Sequence, residues 1–305
     1  MRSRAAFGWL TVLVLTSGLL IGSGIWLANT FSGALAPGLS LGCQATVGEN
    51  SYSLALDQTE NAALISNLAV QRGMPARAAS IALATTMQES KLRNIPYGDL
   101  DSVGLFQQRP SQDWGSVEQI MDPVYSANAF YDVLAQVPNY VDLPINDAAQ
   151  IVQRSGFPHA YAQHESLSRA FASALTGQMP QGLNCTLPPA TSGSAPETVG
   201  AAAQAALGPL AAITYTTGTS ETVPAKPGTT AQGSQLEFSV PDAYGWMMAH
   251  WALANANQLG IIEVSYADHT WNRDANAEGR NMGWQAGKST VQGQLRIILA
   301  AVPSA

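Results

Sequence analysis

A mostly α domain followed by a small α/β domain, behind one N-terminal transmembrane helix, is the fold class that the sequence predicts. Three observations predict it. No charged residue occurs between Arg4 and Glu49. Apolar residues recur at helical spacings of three and four from Leu54 to Thr176. After residue 236, short strand-like runs alternate with one long helical run. A chain of 305 residues has room for about two domains at the usual ~100–200 residues each.

The first element is the run from Phe7 to Leu27, long enough to cross ~30 Å of hydrocarbon and longer than the ~7–15 apolar residues of a secretory signal. It therefore reads as a retained anchor, with cleavage at the "ALA" of residues 34–36 as the alternative. Arg2 and Arg4 hold the leading side in the cytoplasm. The expected location is a single-pass cell-membrane protein with its bulk extracytoplasmic, or a secreted one if the segment is cleaved.

Residues 43–185 form the expected α domain. "TENAALISNLAVQRG", "PARAASIALATTMQESKL", "DPVYSANAFYDVLAQV", "INDAAQIVQRSG" and "HESLSRAFASAL" each carry the helical period. Pro75 and Asp122-Pro123 mark helix starts, Asn146 or Asp147 caps another, and Gly73, Gly156 and Gly177 close helices. Between the second and third helices lies "NIPYGDLDSVGLFQQRPSQDWGS". A loop that long within a domain is usually functional. The two cysteines, Cys43 and Cys185, bracket this stretch, and an even count in an exported chain predicts that they pair. Residues 186–236, rich in Pro, Thr, Ser, Gly and Ala, read as a spacer, with assignment of part of it to the next domain as the alternative. Residues 237–305 read as the small α/β accessory domain, with "QLEFSV", "IIEVSY" and "GQLRIILAAV" as strands around the helix "DAYGWMMAHWALANANQLG".

Composition excludes one class of partner. Charged residues make up 11%, against a usual ~25%, and the net charge is −7 with 14 Lys+Arg. No basic cluster exists beyond the first four residues, so no nucleic acid is expected. His159 and His164 are five apart, off the helical spacing for paired ligands, and "DLDSVG" is too short of acidic ligands for a calcium loop. No metal or cofactor is expected.

The candidate chemistry centres on Glu89. Ala78, Ala82, Thr85 and Thr86 share its helical face, and none is large. Close packing along that face leaves the carboxyl partly out of water at the negative end of a helix, which favours its protonated form. Such a group can deliver a proton to a glycosidic oxygen. Asp99 and Asp101, just downstream, are either a second carboxylate or turn-capping residues. Gln107 and Gln108 suit hydrogen bonds to sugar hydroxyls or acetamido groups, Trp114 suits stacking, and Arg93 offers Glu89 an ion pair one turn on.

"QES" at a helix end, then "GLFQQ" about fifteen residues later and an Asp-Pro helix start, resembles the lysozyme-like superfamily of soluble lytic transglycosylases and goose-type lysozymes. The resemblance covers residues 55–180. It implies cleavage of the β-1,4 bond between N-acetylmuramic acid and N-acetylglucosamine in peptidoglycan glycan strands, with Glu89 as acid and then base. It also implies Ser90 as its hydrogen-bonding neighbour and Gly104, Leu105 and Gln107 as the groove floor. Where the family shows Tyr-Asn-Ala-Gly, this chain has Gln153, Arg154, Ser155 and Gly156. Either Tyr161 or Gln153 replaces the missing helper, or activity is weak. The C-terminal helix resembles degenerate carboxypeptidase-like domains of actinobacterial wall proteins. His250 and His269 alone cannot supply a three-ligand zinc site, so that domain reads as non-catalytic, with Trp246, Trp251, Trp271 and Trp284 in its core. A scaffold that binds wall glycan or serves envelope assembly without cleavage is the alternative function.

Overall fold

A computed structural model describes residues 41–157, 159–208, 214–219, 230–287 and 291–301. The expected anchor at Phe7–Leu27 and the alternative cleavage site at residues 34–36 lie outside these residues. Among the described residues no helix is long and apolar enough to cross a membrane. They hold nine α-helices and nine strands, and the strands correct the expected fold class in both halves.

The first half is not purely helical. Strands β1 (Gly42–Val47) and β2 (Asn50–Leu54) form a hairpin, and β3 (Leu183–Thr186) returns to pair antiparallel with the other edge of β1. The helices between them are α1 (Leu56–Gln71), α2 (Ala76–Glu89), α3 (Val117–Met121), α4 (Pro123–Ala135), α5 (Ile145–Gln153) and α6 (Glu165–Leu175). Cys43 and Ala45 face the core while Gln44 and Thr46 alternate outward. That period of two marks a half-buried strand, and it sits upstream of the helical run. Cys43 lies directly opposite Cys185 across the β1–β3 pair, and the two form a disulfide. The bond closes a separation of 142 residues, which contributes about 5 kcal/mol in the chain-entropy account. Asp122 caps α4 through Val124 N and Tyr125 N, with Pro123 in the first turn. The α5 cap is Pro144 rather than Asn146 or Asp147.

The second half is not α/β. Its six strands run in the order β4-β5-β9-β6-β7-β8, all neighbours antiparallel. They are β4 (Thr214–Thr219), β5 (Gln232–Ser239), β6 (Ile261–Tyr266), β7 (His269–Asn272), β8 (Gln285–Ala286) and β9 (Gln294–Ala300). The run β5, α8 (Asp242–Ala254), α9 (Ala256–Leu259), β6 has the element order of a crossover unit. However, β9 inserts between β5 and β6 and pairs with both. A last strand that adds in the middle leaves no trace in local periodicity. The β6–β7 hairpin turns on Ala267 and Asp268, both at positive φ (47° and 61°), the geometry of a two-residue primed turn.

The stretch read as a spacer carries α7 (Pro196–Leu207) and β4. Among the described residues one large hydrophobic core runs from Cys43 to Leu299, beside a small second cluster of Ile262, Ile298 and Ala300. Helix α8, apolar on all sides, buries Met247, Met248, His250, Trp251 and Leu253, as a helix with no solvated face must. Gly177, at φ +78°, ends α6 where an added Cβ would lie 2.9 Å from Met247 N. Polar anchors reinforce the packing. Trp284 Nε1 donates to Leu183 O and Trp271 Nε1 to Asn184 Oδ1, both at 2.9 Å. Buried Arg273 donates to the carbonyls of Pro188, Ala256 and Ile261. Trp251, Trp271 and Trp284 are buried and Trp246 is half-buried against the same core.

Candidate active site at the end of α2

Helix α2 is built of residues small enough to be surrounded. Every residue from Ala78 to Thr86 is buried, and the Thr85 and Thr86 hydroxyls donate back to Ile81 O and Ala82 O at 2.9 Å. That back-bonding lets hydroxyls sit in a packed interior. The helix stops abruptly. Lys91 and Leu92 adopt positive φ (56° and 58°), and α1 receives their carbonyls through Gln58 Nε2 and Asn61 Nδ2, both at 2.8 Å. Glu89 therefore occupies the last turn of a helix whose end is pinned by its neighbour.

The long loop folds back on that end. Val103 and Gln108 form an isolated bridge, with Gly104 at φ +81° where a Cβ would come 2.8 Å from Ile120 O. Leu105 and Phe106 are fully buried, and Phe106 stacks on Phe130 at 4.7 Å. Ser90 Oγ donates to Leu105 O at 2.7 Å, Gln153 Nε2 to Phe106 O at 2.8 Å, and Gln108 Nε2 to Ser126 O at 3.1 Å. Gln107, at φ +49°, donates to Tyr97 O and Gly104 O. Ser90, Leu105 and Gln108 are thus buried and tie the loop to the end of α2 and to α4, so Gln108 has no free face to offer a sugar. Gln107 and Gly104 turn the loop between them.

Asp99 and Asp101 are used locally. Asp99 Oδ2 accepts from Arg109 Nη2 at 2.9 Å. Asp101 accepts from Ser111 N at 2.8 Å and Ser111 Oγ at 2.9 Å, and these bonds hold its carboxyl below the usual carboxylate range. Arg93 does not pair with Glu89. Its guanidinium bonds Asp57 at 2.7 Å, because the chain turns away after Ser90. Trp114 is half-buried against the core.

Tyr161 completes the arrangement. Its side chain is buried, and its hydroxyl donates to Glu89 Oε1 at 2.6 Å. Burial raises the Glu89 carboxyl above its ordinary value, opposed by hydrogen bonds from Tyr161 and Gln153 and by the charge of Arg109. Burial, then the negative charge of Glu89, pushes the Tyr161 phenol up, so it remains a donor. Next to Glu89, Gln88 Oε1 accepts from Gln163 Nε2 at 3.0 Å and bonds His164 Nε2 at 2.9 Å, which fastens the segment carrying Tyr161 to α2. Arg109 and this Gln88 cluster were not singled out by sequence reasoning. The only signal for Arg109 was a cation directly after "GLFQQ". Among the described residues no group of three or more His, Cys, Asp or Glu is placed to hold a metal ion.

The chain matches no family model and no curated protein sequence.

Proposed function

We propose that this protein cleaves the β-1,4 bond between N-acetylmuramic acid and N-acetylglucosamine in peptidoglycan, with Glu89 as the acid and then the base. The reading rests chiefly on one observation, a half-buried carboxyl raised by its surroundings and gripped by a buried phenol at 2.6 Å. Protonated Glu89 gives its proton to the leaving glycosidic oxygen as the bond to C1 breaks. The carboxylate so formed is stabilised by Tyr161 and Gln153, and it then takes a proton from the incoming nucleophile.

The surroundings of the two aspartates bear on which nucleophile attacks. Asp101 is held by two bonds from Ser111 and Asp99 is exposed beside Arg109; among the described residues neither hydrogen-bonds Glu89, which favours a mechanism with one carboxylate. A lone acid/base suits attack by the substrate's own C6 hydroxyl, giving a 1,6-anhydro product, rather than activation of water by a second carboxylate. The disulfide agrees with an oxidising compartment outside the cytoplasm, where the substrate lies.

The test is incubation of the purified chain with peptidoglycan sacculi, followed by mass analysis of released muropeptides. Anhydro-muropeptides are expected from the wild type and none from Glu89→Gln. Retained sacculus binding without product would reject the enzyme reading and leave a glycan-binding scaffold.

A further inference from the structure

An acid that must keep its proton is poorly served by a nearby cation, because opposite charge favours the ionised form. Arg109 is nevertheless built firmly into this site and acts on Glu89. It follows the Val103–Gln108 bridge in extended conformation, and its Nε donates to Ser102 Oγ at 2.9 Å. Its Nη2 donates to Asp99 Oδ2 at 2.9 Å. The one-turn helix that begins at Pro110 is held by the Asp101–Ser111 bonds, so the backbone on both sides of Arg109 is fixed. Among the described residues Nη1 has no partner.

We propose that Arg109 reads a carboxylate of the substrate and so gives the site a preference for acidic wall glycan over neutral N-acetylglucosamine polymers. This inference rests on the function proposed for Glu89. Three observations carry it. A guanidinium anchored along one edge presents its remaining donors in the planar fork that suits a carboxylate. Its present partner is replaceable, since the Asp99 side chain is 83% exposed and ion pairs at such exposed positions are weak. The chain carries a net charge of −7 and would repel an anionic strand without a local cation at the point of cleavage. The carboxylate has two possible sources. It is the lactyl group of muramic acid where the stem peptide is missing, or a free carboxylate of the stem itself where it is present.

Binding is measured with the full chain in the Glu89→Gln background, so that cleavage does not interfere. Three glycans are used: intact sacculi, sacculi stripped of stems by an amidase, and the neutral N-acetylglucosamine hexamer. Arg109→Gln is expected to weaken binding to the acidic glycans by about tenfold or more and to leave hexamer binding unchanged. Arg109→Lys should recover part of the loss. A loss confined to stripped sacculi identifies the lactyl carboxylate, and one confined to intact sacculi identifies the stem. Asp99→Asn, which removes the competing carboxylate, should tighten binding to acidic glycan, and this gain is readable even if Arg109→Gln folds poorly. Equal losses on acidic and neutral glycans, no change on either, or a failure of the Glu89→Gln chain to bind any of the three would overturn the proposal. The Glu89 reading is judged separately, by muropeptide release from the wild type.

Discussion

Glu89 on α2 and His250 on α8 are both ionisable groups on alanine-rich helices, and burial suppresses the charge on both. Desolvation raises Glu89 and pushes His250 down to about 4. Their surroundings differ. Glu89 is half-buried and accepts a hydrogen bond from Tyr161, with Gln153 and Arg109 also favouring its ionised form. His250 is fully buried, its Nδ1 bonds Ala174 O at 2.7 Å, and its Nε2 has no partner among the described residues. The rings of Trp246 and Trp284 stand 5.5 and 6.2 Å away. Suppressed charge therefore does not mark a working group. A group that cycles between protonation states needs access and partners for the state it visits, and of the two only Glu89 has them.

The largest expected effect is on catalysis. Glu89→Gln keeps size and hydrogen bonding but cannot deliver a proton, so kcat/KM for muropeptide release should fall by about 10²–10⁴-fold. The same measurement on His250→Asn should show little change, which is the contrast the two environments imply.

The next effect belongs to His250 and concerns stability. Its folded pKa, about 4, lies below the ordinary 6.5, so its contribution is complete above pH 6.5 and is lost as pH falls through 4. The loss is on the order of 3 kcal/mol. His250→Asn keeps a donor for Ala174 O without titrating, so its denaturant midpoint should fall less steeply over that window. A flat wild-type profile there would remove the His250 half of the comparison.

Smaller changes probe the partners of Glu89. Tyr161→Phe removes a bond to the carboxylate that is worth about 1.5–3 kcal/mol. It should lower kcat about tenfold or more and move the alkaline limb of the pH–rate profile upward, because the ionised form loses support. The smallest effect is in the stability of Glu89→Gln. A raised folded pKa contributes stability below the unfolded value that is lost as pH rises through the folded one. At neutral pH the variant should therefore be the more stable chain, by about 1 kcal/mol or less, with the difference vanishing below pH 4.5. Paired thermal melts at the two pH values would show whether burial of Glu89 has a cost.

Spacing along the chain was sufficient for five of the six helices from Leu56 to Leu175, since amphipathic period is a local property; the five-residue α3 is too short to show one, and α5 is capped by Pro144. Cys43 and Cys185 were legible as a pair because only two cysteines exist. The β1–β2 hairpin is also present locally, in the alternation of Cys43, Gln44, Ala45 and Thr46, but four residues of period two are a weak signal beside the long helical pattern that follows. The antiparallel character of the second sheet was not legible. It depends on β9 inserting between β5 and β6, a choice made by packing among distant segments.

The candidate site divides in the same way. The residues around Glu89 predict a carboxyl at the end of a small-residue helix, partly out of water, because that environment is made by neighbours within a few turns. Its partners come from far along the chain. Tyr161 lies 72 residues away, Gln153 reaches it from the end of α5, and Asp99 is drawn off by Arg109. Hydrogen bonds form between groups the fold brings within about 3 Å, and separation in sequence does not predict that distance. The partly buried carboxyl was therefore readable from its own segment, while its hydrogen-bond partners and the engagement of the nearby aspartates were settled only by the packing of α2, α5 and the two loops against one another.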